Sequence, residues 1–270
     1  MSYRLLVIDI DGTLVDGNRS ISTEDRAALA KARDLGVQVS LSTGRSARAC
    51  LGIINQLSLD GYHIFFDGAA VSSPVWGKEI YVRPLSKEIV KQAVDFARQH
   101  EIDLELYSST HYFAERETWS TQAHRQFFDI EPHIVDFTNI WERERIVKGG
   151  LVTTNLEEAA KAKIFCVHFD DSLRFSRART PAYPGVDFVN ILAPNVSKGK
   201  ALEALAAYLE IPVSAVMAVG DGANDIPLLT TAGLGVAMDN AADEVKAVAD
   251  HVTLDVDHSG VAAAVKKFLL

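Results

Sequence analysis

Residues 5–16 read "LLVIDIDGTLVD", and the reading of this stretch decides the fold. Leu5, Leu6, Val7 and Ile8 are apolar without interruption, the pattern of a strand covered on both faces, as in a parallel sheet. Two aspartates follow with one residue between them, then Gly12 and Thr13. Asp-Gly is a common turn pair, so Asp11 has an ordinary explanation; Asp9 does not share it. Residues two apart on a strand point to the same side, so continued extension would bring Asp9 and Asp11 together. Two close carboxylates resist ionisation unless a cation or a shared proton relieves them, and Mg²⁺, which prefers carboxylate oxygens, is the simpler remedy.

Outward from this stretch the chain repeats a strand–helix grammar. "STEDRAALAKARDLG" (22–36) reads as a helix capped by Ser22, with Ala28, Leu29, Ala32 and Leu35 as its apolar stripe. "VQVSLSTGR" (37–45) reads as the next strand, so a parallel α/β sheet is expected. Near the C-terminus, "KGKALEALAAYL" (198–209) is a helix, "AVMAVGDGAND" (215–225) a strand ending in Gly-Asp-Gly, and a helix is expected from about 241 to 249. The middle alternates instead. In "IDLELYSSTHYFAE" (102–115), Ile102, Leu104 and Leu106 oppose Asp103, Glu105 and Tyr107. "KIFCVHFDD" (163–171) is read as a second half-covered strand, with Phe165, Val167 and Phe169 opposing Ile164, Cys166 and His168. "SKEIVKQAVDFARQH" (86–100) is a helix able to cover such a sheet. The chain divides into an α/β core, 1–83 with 188–270, and an α+β insertion, 84–187.

Composition narrows the function. A net charge of −9 argues against general nucleic-acid binding, though a bound metal and local cations still permit an anionic substrate. Cys50 and Cys166 stand in no paired motif, so a reducing compartment is the default. No signal-like segment precedes the first strand and no apolar run approaches membrane-spanning length, so a cytoplasmic, soluble protein without a membrane partner is expected.

Ligands of open α/β sheets bind beyond the carboxyl ends of the strands, where Asp9, Asp11, Thr43 and Asp221 would gather. Together "DIDGTL", "STGR", "SKGKAL" and "GDGANDIPLL" resemble the four signature motifs of the haloacid dehalogenase superfamily. The tail "GVAMDNAADEVKAVADHVT" and the long insertion are similar to its Cof-type sugar-phosphatase branch. The resemblance implies a Rossmann-like core with helices on both faces under a large α/β cap. It implies an Mg²⁺-dependent phosphatase of small phosphorylated metabolites such as sugar phosphates, a monomer or weak homodimer. Asp9 would be the nucleophile, forming an aspartyl-phosphate, and Asp11 the general acid and base. Asp221, with Asp9 and the Asp11 carbonyl, would hold Mg²⁺. Thr43, Gly44 and Asn224 would bind the phosphoryl group, Lys198 would neutralise charge on it and on Asp9, and Asp225 would support. Arg45 matches the motif with a structural role.

An acid at position 11 separates phosphatases from the dehalogenases and P-type ATPases of the superfamily. A phosphomutase, or a binding regulator without turnover, is the alternative; a regulator would usually have lost one of the four charged residues. One departure stands out. "FFDGAA" (65–70) carries Asp67 where the branch usually has asparagine. An acid bordering the pocket would repel phosphate unless protonated or paired, or it could accept a substrate hydroxyl or amine. Cys166 and His168 alone make a poor zinc site, and Arg116, Arg125 and Lys148 are expected to be solvated.

Overall fold

A computed structural model describes residues 3–128, 130–178 and 183–270. The opening run forms β1 (Leu5–Asp9), followed by α1 (Thr23–Asp34), β2 (Gln38–Ser42), α2 (Leu51–Gln56), β3 (His63–Phe65), β4 (Ala70–Ser73) and β5 (Lys78–Val82). The middle of the chain forms α3 (Lys87–Gln99), β6 (Glu105–Tyr107), β7 (Tyr112–Ala114), α4 (Trp119–Phe128), β8 (Pro132–Ile134), α5 (Ile140–Arg143), β9 (Lys148–Thr153), α6 (Leu156–His168), β10 (Arg174–Ala178) and β11 (Asp187–Leu192). The return forms α7 (Lys198–Tyr208), β12 (Val216–Gly220), α8 (Ile226–Thr231), β13 (Leu234–Ala237), α9 (Asp243–Lys246), β14 (His251–Val252) and α10 (Gly260–Phe268).

One sheet runs β14-β13-β12-β1-β2-β3-β4-β5. Its neighbours are parallel from β14 to β3, while β3, β4 and β5 form an antiparallel edge. β1 is central, and its continuous apolarity has a physical cause. Leu6 and Ile8 face a core shared with Ala28 and Leu29 of α1 and Val261 and Val265 of α10. Leu5 and Val7 face the opposite core, built with Leu202 and Leu205 of α7 and Leu228 of α8. Helices therefore cover both faces, and no position in the strand is left for water.

The second sheet runs β10-β11-β9-β6-β7-β8, antiparallel except between β7 and β8. Leu104, Leu106, Val189 and Ile191 on its outer face share a core with Val90 and Val94 of α3 and Phe165 of α6. Its inner face carries Glu105, Tyr107, Tyr112 and Asn190 toward the first sheet, where Tyr107 and Tyr112 join the core that also holds Phe66. The expected alternation at 102–107 thus separates the two faces as read.

Three expectations differ from the structure. "KIFCVHFDD" is the end of α6, not a strand. Asn155 caps that helix by accepting the Glu158 N–H at 3.0 Å, and Glu157 and Glu158 fill its first turn. Ala162, Phe165 and Phe169 are buried at spacings of three and four, whereas Val167, read as covered, is 70% exposed. The boundary at 187 falls at the start of β11, which pairs with β9 and β10; we place the end of the inserted unit after Leu192. The helix expected near 241–249 is only the single turn of α9. Among the described residues no helix is long and apolar enough to cross a membrane.

Candidate active site

Asp9 closes β1, Thr43 follows β2, Asp221 follows β12 and Lys198 opens α7, so all four lie at the carboxyl edge of the first sheet. Asp9, Asp11, Thr43, Gly44, Asp221 and Asn224 line one cavity of about 440 Å³. Lys198 and Asp225 are buried behind them.

Lys198 is the best-determined member. Ser197 caps α7 by accepting the Lys200 N–H at 3.2 Å, which makes Lys198 the first helical residue. The turn at Gly68 packs against this cap; its φ is +96°, and a Cβ there would collide with the Ser197 carbonyl. Lys198 Nζ donates to Asp9 Oδ1 at 2.5 Å and to Asp225 Oδ1 at 2.5 Å. Burial alone would favour the neutral amine, but Asp225 and Asp9 outweigh it and hold the ammonium above its ordinary pKa. Asp225 Oδ2 accepts the N–H groups of Asp221 at 3.1 Å and Gly222 at 2.9 Å, so both its oxygens are engaged.

Asp9 and Asp221 keep charge that Lys198 only partly offsets. Burial, with Asp225 adding to it, pushes Asp9 well above the usual carboxylate range despite Lys198. Burial and Asp225 push Asp221 up to about 7, opposed by the Thr13 hydroxyl, which donates to Asp221 Oδ1 at 2.9 Å. Asp9, Asp221 and Asp225 each offer an oxygen within 4.8 Å of the others. Three carboxylates around one ammonium is an arrangement that a divalent cation would relieve, and the all-oxygen donor set suits a hard ion. Since Asp225 is committed to Lys198 and two N–H groups, Asp9 and Asp221 are the carboxylates able to hold such an ion.

Asp11 relieves its charge differently. β1 stops at Asp9, and Gly12 turns the chain at φ +88°, where a Cβ would collide with the Asp221 carboxylate. The Asp11 carboxylate then accepts Arg45 Nε at 2.8 Å on Oδ2 and Arg45 Nη2 on Oδ1. Asp9 and Asp11 thus each have a cation of their own, Lys198 and Arg45. Arg45 also lines the cavity, and its backbone N–H donates to Thr43 Oγ1 at 3.1 Å. Its motif position marked it in the sequence; its partner did not show there.

Asp67 is buried at 2% exposure and is paired. Asn190 Nδ2 donates to its Oδ2 at 2.5 Å, and Asn224 Nδ2 donates to its Oδ1 at 2.9 Å. The condition under which it would repel phosphate, an unpaired acid in the pocket, is not met.

The second sheet roofs the cavity with Tyr107, Lys148, Phe188 and Asn190, joined by His124 of α4. Lys148, expected to be solvated, instead donates to the Gly44 carbonyl at 3.1 Å and lies over the Tyr107 ring; burial lowers its pKa. Glu105 organises the roof by accepting Tyr107 Oη at 2.9 Å, Tyr112 Oη at 2.8 Å and Ser120 Oγ at 2.5 Å. The Tyr107 hydroxyl also lies 3.0 Å from His124 Nε2. Sequence reasoning missed Lys148, His124 and Asn190, which reach the site only through pairing of distant segments. His168 is exposed on α6, stacked on Phe96 at 4.3 Å, away from this roof.

Comparison with known proteins follows the same lines. The family model for haloacid dehalogenase-like hydrolases matches residues 6–265. Phosphatase YwpJ of Bacillus subtilis is 28% identical, the match covering 98% of this chain and all of that protein. The 5-amino-6-(5-phospho-D-ribitylamino)uracil phosphatase YcsE of Bacillus subtilis is 29% identical, covering all of this chain and 97% of the relative. The solved structure of the HAD subclass IIB sugar phosphatase BT4131 superposes with a TM-score of 0.82 at 25% identity, covering 98% of each chain.

Proposed function

Because the chain belongs to the haloacid dehalogenase-like hydrolases, in their Cof-like branch, we propose that it is a phosphatase of small phosphomonoesters, with sugar and polyol phosphates as its substrate class and Mg²⁺ as its cofactor. The observation that carries this reading is the placement of Asp9 between Lys198 and Asp221 at the floor of a roofed cavity. The names of two relatives support the substrate class, since one is a sugar phosphatase and the other acts on a phosphoribityl compound.

Asp9 attacks phosphorus, forming an Asp9–phosphorus bond as the bond to the leaving oxygen breaks. Lys198 holds the attacking carboxylate in place and neutralises it. Thr43 and the backbone around Gly44, which line the cavity, hold the phosphoryl oxygens. Asp11 delivers a proton to the leaving oxygen and later takes one from the water that cleaves the aspartyl-phosphate. With both its oxygens on Arg45, Asp11 must first turn from the guanidinium toward the cavity. Asp9, Asp221 and the Asp11 carbonyl would hold Mg²⁺, which would supply the positive charge that lets a carboxylate approach a phosphate dianion.

The test is turnover of a panel of phosphomonoesters by purified protein, with Mg²⁺ and after exhaustive chelation. Release of phosphate that stops with chelation and returns with Mg²⁺ is expected. Full activity without metal would remove the cofactor assignment, and no release from any ester would remove the phosphatase reading.

A further inference from the structure

Asp67 stands where its branch usually carries an amide, and it is buried with both oxygens accepting side-chain N–H groups. One donor, Asn190, comes from β11 of the second sheet; the other, Asn224, comes from the turn after β12. A carboxylate can only accept, so each asparagine must present its NH₂ to Asp67, and the carbonyl end of each amide is directed elsewhere. Both asparagines line the cavity, and neither Oδ1 has a hydrogen-bond donor among the described residues. Asn224 Oδ1 lies beside Gly222, itself a cavity residue. An asparagine at 67 would offer one acceptor and one donor, so one neighbour would have to reverse its amide. The charge at 67 also has cations to face: Lys148 and Lys198 are both close enough to feel it.

We propose that Asp67 is a positioning residue that locks the amides of Asn190 and Asn224 with their carbonyl oxygens toward the cavity, so that the site selects phosphate esters whose leaving group donates hydrogen bonds. This rests on the phosphatase reading above and, within its substrate class, favours esters that present a hydroxyl or amine donor to these two oxygens. A keto group at the position facing these two oxygens can only accept, meets two acceptors and is penalised, because a polar group without a partner is costly in a closed site.

Matched probes test this. Glycerol 3-phosphate and dihydroxyacetone phosphate differ at one carbon, which donates in the first and only accepts in the second. Erythritol 4-phosphate and erythrulose 4-phosphate extend the reach of the comparison. The quantity read is the polyol-to-ketone ratio of kcat/KM, in which any general loss of phosphoryl binding cancels. For the native protein the ratio is expected to be roughly 5- to 50-fold in at least one pair, the effect of one or two hydrogen bonds. Asp67→Asn should bring it close to one. Combining Asp67→Asn with Asn190→Asp should restore it. The amide introduced at position 67 then donates to one oxygen of the carboxylate introduced at position 190, whose other oxygen faces the cavity, and accepts from Asn224. The same ratio is read as Kd on Asp9→Asn protein with position 67 native or changed, so the outcome does not depend on turnover. A native ratio near one in both pairs overturns the proposal. So does an equal loss on polyol and ketone after Asp67→Asn, which would mark a merely structural residue. If no ester is turned over but the Kd ratio still responds to position 67, the phosphatase reading falls and this one stands.

Discussion

Replacing Lys198 with methionine isolates the electrostatics on which the site depends. Lys198 is 1% exposed, and Asp9 and Asp225, each 2.5 Å from its Nζ, are 6% and 0% exposed. Methionine fills much the same space, so the change removes charge rather than volume. It leaves two buried carboxylates facing one another with Asp221 beside them. Breaking a buried ion pair by removing one partner costs about 3–5 kcal/mol. At about 2–4 °C per kcal/mol for a chain of this size, the melting temperature should fall by about 6–20 °C at neutral pH. The pH dependence has a definite sign. Asp9 already has a raised pKa in the folded protein, so its contribution to stability is fully present below the unfolded value and is lost as pH rises through the folded one. Without Lys198 that loss deepens. The deficit of Lys198→Met should therefore be largest near about pH 8 and shrink toward about pH 5, where the carboxyls take up protons. Thermal melts in chelator across that range measure it directly. Adding Asp225→Asn removes one of the facing charges and should return about half of the lost stability. A variant that melts within about 2 °C of the native protein at about pH 8, or a deficit that does not change with pH, would refute the reasoning.

Asp11→Asn should lower kcat roughly 10²–10⁴-fold on an alkyl phosphate and much less on an aryl phosphate, whose leaving oxygen needs little help from an acid. Equal losses on the two esters, measured by phosphate release, would place Asp11 outside proton transfer. Tyr107→Phe should change the ranking of kcat/KM among sugar and polyol phosphates, because Tyr107 lines the cavity and its hydroxyl ties Glu105 to His124. His168→Ala should leave that ranking untouched, since His168 stacks on Phe96 at the outer surface of the inserted unit; a changed ranking would mean that the roof lies elsewhere.

These outcomes separate what local sequence encodes from what only tertiary pairing creates. β1 was legible because a strand buried on both faces must be apolar at every position, and Leu5–Ile8 leave no other reading. Asp9, Thr43 and Asp221 were legible because each sits where a strand ends, and the sheet brings those ends to one edge, whereas Lys198 was marked only by its motif. The stretch 163–171 misled for a physical reason. In "KIFCVHFDD" apolar and polar residues alternate by accident, while the helical spacing of Ala162, Phe165 and Phe169 begins upstream of that window. The stronger signal lay eight residues earlier, in the cap and acidic first turn of "NLEEAAKA", where local hydrogen bonding decides the conformation.

The cations and amides of the site mark the limit of such reading. Lys148, Asn190 and Arg45 show no distinguishing local pattern of charge or apolarity, and each acquires its role only when another segment arrives. Lys148 reaches the Gly44 carbonyl from β9, Asn190 reaches Asp67 from β11, and Arg45 closes on Asp11 across the β1–β2 edge. Two of these three contacts join the inserted unit to the core, and both end within the turns that follow β2 and β3. The loop expected to hold the phosphoryl group is therefore itself held by the roof. Lys148 donates to the Gly44 carbonyl, while Asp67, tied to Asn190, donates its backbone N–H to the Thr43 carbonyl at 3.0 Å. A roof that opened to admit substrate would have to give up the first of these bonds and the Asn190–Asp67 bond. An opening of the roof would therefore also release the loop after β2.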